Sequence, residues 1–181
     1  MNTEGKEGSF MPIFIAMIVS LAIAFFWDNY TFIKNTAHKI LDPTAGLLLN
    51  WNITFGMILI IFVISVFMTI IQKYATDQKT LKEMKEEQKK LNEEMKKVKD
   101  NPEKMMQLQK EIMKITMPMM KLSMRPVVYT AIPIILFFRW FMDFFAANEG
   151  FRFFGFFSWF WFYLIFSIIF SSILRKVLKV A

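Results

Sequence analysis

The chain has 181 residues, of which 22 are basic, 15 are acidic and 55% are hydrophobic, and its formal net charge is +7. It contains no cysteine, which excludes disulfides, iron–sulfur clusters and thiolate zinc sites. Its apolar residues form four stretches that are long enough, or nearly so, to cross a bilayer core of about 30 Å. These stretches are Phe10–Trp27, Ile53–Ile71, Val127–Ala147 and Phe153–Leu174. Their length excludes an ordinary water-soluble globule. We predict an all-α membrane protein with a three-span core and an additional N-terminal span.

Residues 1–30 contain the first apolar stretch, which could be a retained span or a removed signal peptide. The leader Met1–Ser9 carries acidic as well as basic residues, and the bulky Phe25, Phe26 and Trp27 follow where a cleavage site would need small residues. We therefore predict a retained span over residues 10–27.

Residues 31–52 are predicted to form an external linker that contains a short interfacial helix. Five apolar side chains fall on one helical face, opposite Lys34 and His38: Phe32, Ile33, Ala37, Ile40 and Leu41. We expect Asp42 and Pro43 to stop this helix. Trp27 and Trp51 bracket the segment, as aromatic residues do at membrane interfaces.

Residues 53–72 form the first predicted core span, and residues 73–125 follow it with 14 of the basic and nine of the acidic residues. Because basic residues near span ends mark the cytoplasmic side, we expect this charged segment to face the cytoplasm. The second and third core spans are predicted over residues 126–147 and 153–174. The basic tail, residues 175–181, is expected to be cytoplasmic for the same reason.

The charged segment contains two runs of residues spaced alternately by three and four, which predict an antiparallel coiled-coil hairpin. The first run is Leu81, Met84, Gln88, Leu91, Met95 and Val98, and the second is Met105, Leu108, Ile112, Ile115, Met119 and Leu122. The sequence Asp100–Glu103 interrupts the pattern, with Asn101 suited to cap the second helix and Pro102 suited to begin it.

Methionines are concentrated in the second arm of this hairpin. Flexible thioether side chains suit surfaces that accept many apolar sequences, so the methionines of this arm predict a recognition surface. Its candidate residues are Met105, Met106, Met113, Met117 and Met120. In the alternative interpretation the hairpin is a solvated structural element, and the methionines pack against the first arm and the lipid surface.

Hydroxyl and amide side chains occur in the cytoplasmic halves of all three core spans. Together they predict a hydrophilic groove that opens to the cytoplasm and lowers the free-energy cost of drawing a polar chain into the bilayer. The residues predicted to line it are Ser65, Thr69, Gln72, Tyr129, Thr130, Ser167 and Ser171. Taken singly, each of these side chains could instead bond its own backbone or a neighbouring helix.

Arg139 and Asp143 stand four residues apart in the second core span and can share one helical face. An ionisable pair inside a membrane is a functional candidate, but Arg139 could also reach the headgroups with Asp143 as its partner. The single histidine, His38, fits no metal-site or triad motif, and no phosphate-binding glycine loop occurs. We therefore expect no enzymatic activity, no catalytic residue, no metal and no other cofactor.

The order of these elements resembles that of the YidC-type membrane protein insertases over about residues 31–174. The stretches that carry the resemblance are Gln72–Asp77 leading into the hairpin, Gln107–Met113 in its second arm, and Met117–Ile134 entering the second core span. The compact three-span core is similar to the archaeal YidC-like branch, which would place the chain in a plasma membrane as a multi-pass protein.

This resemblance implies energy-independent insertion of small membrane proteins into the lipid bilayer, with a groove that receives nascent membrane proteins and a hairpin that contacts the substrate or the ribosome. Bacterial members place a basic residue in the groove on the first core span, whereas Ile53–Ile71 has no Lys or Arg. The groove is therefore expected to act by hydrogen bonding. We expect no small-molecule substrate and no DNA partner.

An alternative function is a membrane tether whose coiled coil docks a cytoplasmic partner. An ion-conducting pore is disfavoured, because the spans contain no rings of charged residues that could line a channel.

Overall fold

The structure, a computed structural model, describes residues 10–98, 101–148 and 150–180. The helices in these residues are α1 Met11–Phe25, α2 Thr31–Leu41, α3 Leu47–Trp51, α4 Ile53–Ala75, α5 Gln78–Lys97, α6 Pro102–Ala147 and α7 Trp159–Leu178. A π-helical turn, Asp42–Gly46, joins α2 to α3. The leader Met1–Ser9 and Asp100, for which we made predictions above, lie outside the described residues.

Three of these helices, α4, α6 and α7, are long and apolar enough to cross a membrane. Helix α1 has 15 residues, or about 22 Å at 1.5 Å per residue, which is less than a bilayer core. It is shorter than the predicted span over residues 10–27 because the chain turns after Phe25, and Trp27 and Asp28 then reach across to α6.

The core lies where α4, α7 and the C-terminal half of α6 meet, and it is built largely from aromatic rings. Phe153 stacks on Phe162 with 4.1 Å between ring centroids, and Phe145 stacks on Trp159 at 5.8 Å. Trp140 is fully buried beside them. Offset and edge-to-face ring pairs of this kind add attraction beyond the area that they bury.

Gly56 allows α3 to fold back closely onto α4. A Cβ atom at this position would lie 2.4 Å from the carbonyl oxygen of Leu48. The turn between the two helices is fixed by Asn52, whose side chain accepts hydrogen bonds from the backbone N–H groups of Thr54 and Phe55 and so caps α4.

The α-helix α2 ends at Leu41, directly before Asp42 and Pro43 as expected, but the chain does not leave helical geometry there. The π-helical turn carries it past Pro43 and on into α3. Pro43 has no N–H to donate to the preceding turn. The backbone N–H of Leu47 bonds the carbonyl of Asp42 five residues earlier and closes the wider turn.

Helices α5 and α6 form an antiparallel hairpin. The Gln88 side chain donates to the Thr116 hydroxyl at 2.9 Å, and the Thr76 hydroxyl donates to the Leu122 carbonyl at 3.4 Å. The predicted seam positions are buried or half-buried in both arms, with Met105 as the exception. As predicted, Asn101 caps α6 through the N–H of Lys104, and Pro102 begins the helix.

Helix α6 continues without a break from the hairpin into the core, over 46 residues or about 69 Å. We call the end of the core near Ala75 and Arg125, beyond which the hairpin projects, the hairpin end. We call the opposite end, where α2 lies, the α2 end. One helix thus connects both ends of the molecule.

Pro126 lies inside α6 and has no N–H to donate to the carbonyl of Leu122. That carbonyl is the one that accepts the Thr76 hydroxyl, and Thr76 is buried. The connection between α4 and α5 therefore supplies the hydrogen bond that the proline removes, and it fixes α6 against the end of α4.

We expect Thr76→Val to destabilise the protein by about 1–2 kcal/mol, the cost of leaving a buried carbonyl without a partner. In a Pro126→Ala background the new backbone N–H can bond Leu122, so the same substitution should cost clearly less. Thermal unfolding of the four variants in detergent micelles, followed by circular dichroism, measures this coupling. Equal costs in both backgrounds would contradict the assignment.

Candidate functional site

The hydroxyl groups predicted to line a groove are mostly enclosed between helices. Ser65, Thr69 and Thr130 are only 3%, 1% and 5% exposed. Thr69 donates to the carbonyl of Ser65 at 2.7 Å and Thr130 to that of Pro126 at 3.0 Å, each within its own helix. This is the arrangement in which membrane hydroxyls satisfy themselves locally.

The predicted groove residues lie at two different levels. Thr69 is seven residues before Thr76 and Thr130 is eight residues after Leu122, so both lie roughly 11 Å inward from the contact between those residues. The ring contact between Phe62 and Phe170 places Ser171 about 9 Å, and Ser167 about 15 Å, further toward the α2 end.

Two of the predicted residues are more accessible than the buried hydroxyls. Tyr129 is 63% exposed and Gln72 is half-buried, both in the half of the core toward the hairpin end. Ser167 and Ser171 are half-buried on α7, and the Ser167 hydroxyl donates to the Leu164 carbonyl. The structure thus brings Thr69, Tyr129 and Thr130 to one level and leaves the two serines of α7 deeper.

A cavity of about 300 Å³ opens beside Tyr129 at the hairpin end. Three helices line it: α1 with Pro12 and Ile13, the last residue of α4, and α6 with two basic residues, a valine and the tyrosine. The residues from α4 and α6 are Ala75, Lys121, Arg125, Val128 and Tyr129. We call this space the α1 cavity.

Sequence reasoning did not identify most of the α1 cavity. Lys121 and Arg125 are basic residues near the start of a span, and in the sequence such residues indicate topology only. Lys121 also extends over the ring of Phe10, with its Nζ 5.5 Å from the ring centroid. That α1 packs on α6 at this place is a tertiary fact that no spacing in the sequence encodes.

The five methionines predicted to contact a substrate are exposed in the structure. Met106, Met113, Met117 and Met120 follow spacings of seven, four and three residues and share one face of α6, roughly opposite the seam that faces α5. We call these four residues the methionine stripe. Packing against the first arm, which is part of the alternative interpretation above, therefore does not account for the methionine stripe.

A second polar cluster lies at the α2 end. Asp143 accepts a hydrogen bond from Trp27 Nε1 at 2.9 Å, and it lies 3.1 Å from His38 Nε2 and 3.4 Å from Lys34 Nζ. Lys34 also bonds Asp28 at 2.9 Å. The hydrogen bond to Asp28 is the main cause that raises the pKa of Lys34 above its ordinary value.

The predicted pairing of Arg139 with Asp143 is wrong. Arg139 Nη2 lies 3.2 Å from Asp28 Oδ2, and the guanidinium lies 5.8 Å from the centre of the Trp27 ring. Asp143 contacts α2 and the connection between α1 and α2 instead, because these present a Trp N–H, a lysine and a histidine to it. Partners from other elements have overridden the i,i+4 spacing.

One of the two bracketing tryptophans is placed differently from the prediction. Trp27 is fully buried, whereas Trp51 is 79% exposed and its interfacial position stays a prediction. The side chains of Lys34 and His38 reach to α6 and are half-buried, whereas Phe32 is exposed. Because α6 offers a carboxylate, the charged side of α2 packs on protein and part of its apolar side is left for lipid.

Comparison with known proteins adds one finding. The family model described as Integral membrane protein EMC3/TMCO1-like matches residues 38–157. No curated protein and no solved structure matches the chain. The matched region includes α4, the hairpin and all of α6, and it begins after α1 and ends before α7.

The cluster at the α2 end yields a test of its hydrogen bonds. Trp27→Phe should cost about 1.5–3 kcal/mol more in the unaltered protein than in an Asp143→Leu background, because the bond to a charged acceptor is lost only in the former, whereas the packing of the buried ring is lost in both. Thermal unfolding of the four proteins of this double-mutant cycle in micelles measures the difference. Trp51→Phe is the matched control and should have little effect. A similar cost for Trp27→Phe in both backgrounds would contradict the bond.

Proposed function

Since the chain belongs to the EMC3/TMCO1-like family of integral membrane proteins, we propose that it is a membrane protein insertase or chaperone for nascent apolar segments. The family is linked to membrane protein insertion and falls within the Oxa1/YidC/EMC superfamily. The sequence resemblance to YidC-type insertases is therefore correct at the level of the superfamily, whereas the family is EMC3/TMCO1-like and not YidC itself.

The observation that carries the proposal is the continuity of α6. The methionine stripe ends at Met120, and the next residue, Lys121, lines the α1 cavity. The same helix then continues as a wall of the core. An apolar segment that leaves the stripe would therefore meet the cavity with no change of element.

The first step is capture by the methionine stripe. Its side chains are between 46% and 62% exposed, and thioether groups adapt to apolar surfaces of different shape. The lysines that alternate with them keep the hairpin soluble while no client is bound. Capture thus requires neither a fixed client sequence nor a bound nucleotide.

The second step shelters the polar flank of the client. We place it in the α1 cavity, since Ser65, Thr69 and Thr130 are buried and do not offer a wetted groove along the whole predicted length. The exposed Tyr129 supplies a hydroxyl there. Pro133, which has no N–H to donate to the Tyr129 carbonyl, leaves that carbonyl available as an acceptor.

The third step is sideways release into lipid, and no bond is made or broken. Each central Leu, Ile, Phe or Val favours the bilayer by about 0.3–0.6 kcal/mol, which over a whole span drives the transfer. We place the hairpin and the basic C-terminal tail on the cytoplasmic side by the positive-inside rule, where the hairpin can also meet the ribosome. The plasma membrane is proposed from the resemblance to the YidC-type insertases.

A second candidate function, the membrane tether, is favoured by one observation. The hydroxyls of Thr69 and Thr130 are buried and already bonded to carbonyls of their own helices. If the core only anchors the hairpin, such closed packing is all that it needs. The two functions differ in whether a client ever enters the membrane beside α6.

Replacing the methionine stripe by serine at all four positions should lower insertion of a short-tailed client several-fold in proteoliposomes, because the apolar contact surface is lost. Replacing the same four residues by leucine is the matched control and should retain most of the activity. If both variants insert clients as well as the unaltered protein, or if vesicles without the protein do so equally, the insertase proposal fails.

Photocrosslinking separates the two candidate functions. A photoreactive residue at Met113, Gln72 or Tyr129 should crosslink to a stalled nascent chain, in that order as the client lengthens. The control is a photoreactive residue in place of Phe32, which is 81% exposed at the α2 end. It should give no crosslink to short nascent chains. Crosslinks at Met113 alone would favour the tether.

A further inference from the structure

The α1 cavity combines apolar and basic walls at one depth. Pro12, Ile13 and Val128 provide the apolar surface, and Lys121 and Arg125 provide the charge. A volume of about 300 Å³ is at the lower end of the range for small-molecule sites. We propose that this cavity binds the phosphate headgroup of an anionic membrane lipid.

The position of the charges along the helices supports this assignment. No charged residue occurs on α6 between Arg125 and Arg139, and on α4 the first charged residue is Lys73, close to its end. Lys73, Lys121 and Arg125 therefore lie at the boundary between the apolar core and water. Basic pockets between spanning helices at this depth attract anionic lipid headgroups.

The local charge balance also favours an anion. In the two segments that meet here, residues 73–77 and 121–125, the charged residues are Lys73, Asp77, Lys121 and Arg125, for a net charge of +2. The carboxylate of Asp77 accepts hydrogen bonds from the N–H and the hydroxyl of Thr80, at 3.2 and 2.8 Å, at the start of α5.

The side chains around the basic pair suit a lipid better than a free ion. Tyr129 is 63% exposed beside the cavity, and tyrosine is favoured at headgroup depth, where its ring is apolar and its hydroxyl is wet. Ile13 and Val128 can contact the upper part of an acyl or isoprenyl chain. Pro12 and Ile13 belong to α1, outside the region that matches the family. The cavity is the one in which we also place the polar flank of a client, but lipid binding is measured without a client, so the two proposals can fail separately.

The test is lipid binding to the full-length protein in nanodiscs or micelles. We expect phosphatidylglycerol to bind at least tenfold more tightly than phosphatidylcholine, measured by native mass spectrometry and by the rise in melting temperature. Lys121→Gln combined with Arg125→Gln should abolish the preference, since each basic residue at a membrane surface contributes about a fivefold factor. Lys104→Gln combined with Lys110→Gln, exposed on the same helix, is the matched control.

Two further arms decide the source of the anion and protect the test against misfolding. The charge-conserving variant Lys121→Arg with Arg125→Lys should keep the lipid preference. Equal protection by millimolar inorganic phosphate would assign the cavity to a soluble anion and overturn the proposal. An equal loss of lipid preference in the Lys104 and Lys110 variant would overturn it as well. So would a Lys121→Gln and Arg125→Gln variant that loses client crosslinking while its lipid binding is unchanged.

Discussion

A backbone carbonyl that is buried away from water must keep a hydrogen-bond partner, and this constraint governs the structure. Pro126 creates such a carbonyl at Leu122, and the Thr76 hydroxyl satisfies it from the connection between α4 and α5. Other hydroxyls of the core bond the carbonyls of their own helices. Because the carbonyl freed by Pro126 keeps a partner, α6 can continue past this proline as one helix.

The continuity of α6 links the two environments of the protein. Its first half carries the seam toward α5 and the methionine stripe on the other side, and its second half packs aromatic residues against α7. A separate loop between hairpin and core would uncouple them. Instead, any tilt of the hairpin that leaves the helix intact is transmitted to the wall of the α1 cavity.

The two ends of the core have different chemistry. At the α2 end, acidic and basic side chains neutralise each other: Asp28, Asp143, Lys34 and Arg139 tie α2 and the segment before it to α6. At the hairpin end the charges are mainly basic and border a cavity. If the chain acts as the proposed insertase, closure at one end and an accessible, positively charged recess at the other would restrict entry of a client to the hairpin side.

The sequence alone determined the features that depend on local rules. Long apolar runs gave the three spanning helices, a three-and-four spacing gave the faces that pair in the hairpin, and Asn101 with Pro102 gave the start of α6. The order of these elements was sufficient to indicate an insertase-related superfamily. These inferences succeed because periodicity, capping and transfer into lipid act over one turn or one helix.

Only the tertiary structure decided which groups meet across the chain. The partner of Asp143 is Trp27, 116 residues away, although Arg139 stands one helical turn from it. The hydroxyls of Thr69 and Thr130 are buried, and the recess is formed with α1 around Lys121 and Arg125. Spacing shows which face a side chain occupies, but the element that packs on that face fixes its partner and its access to water.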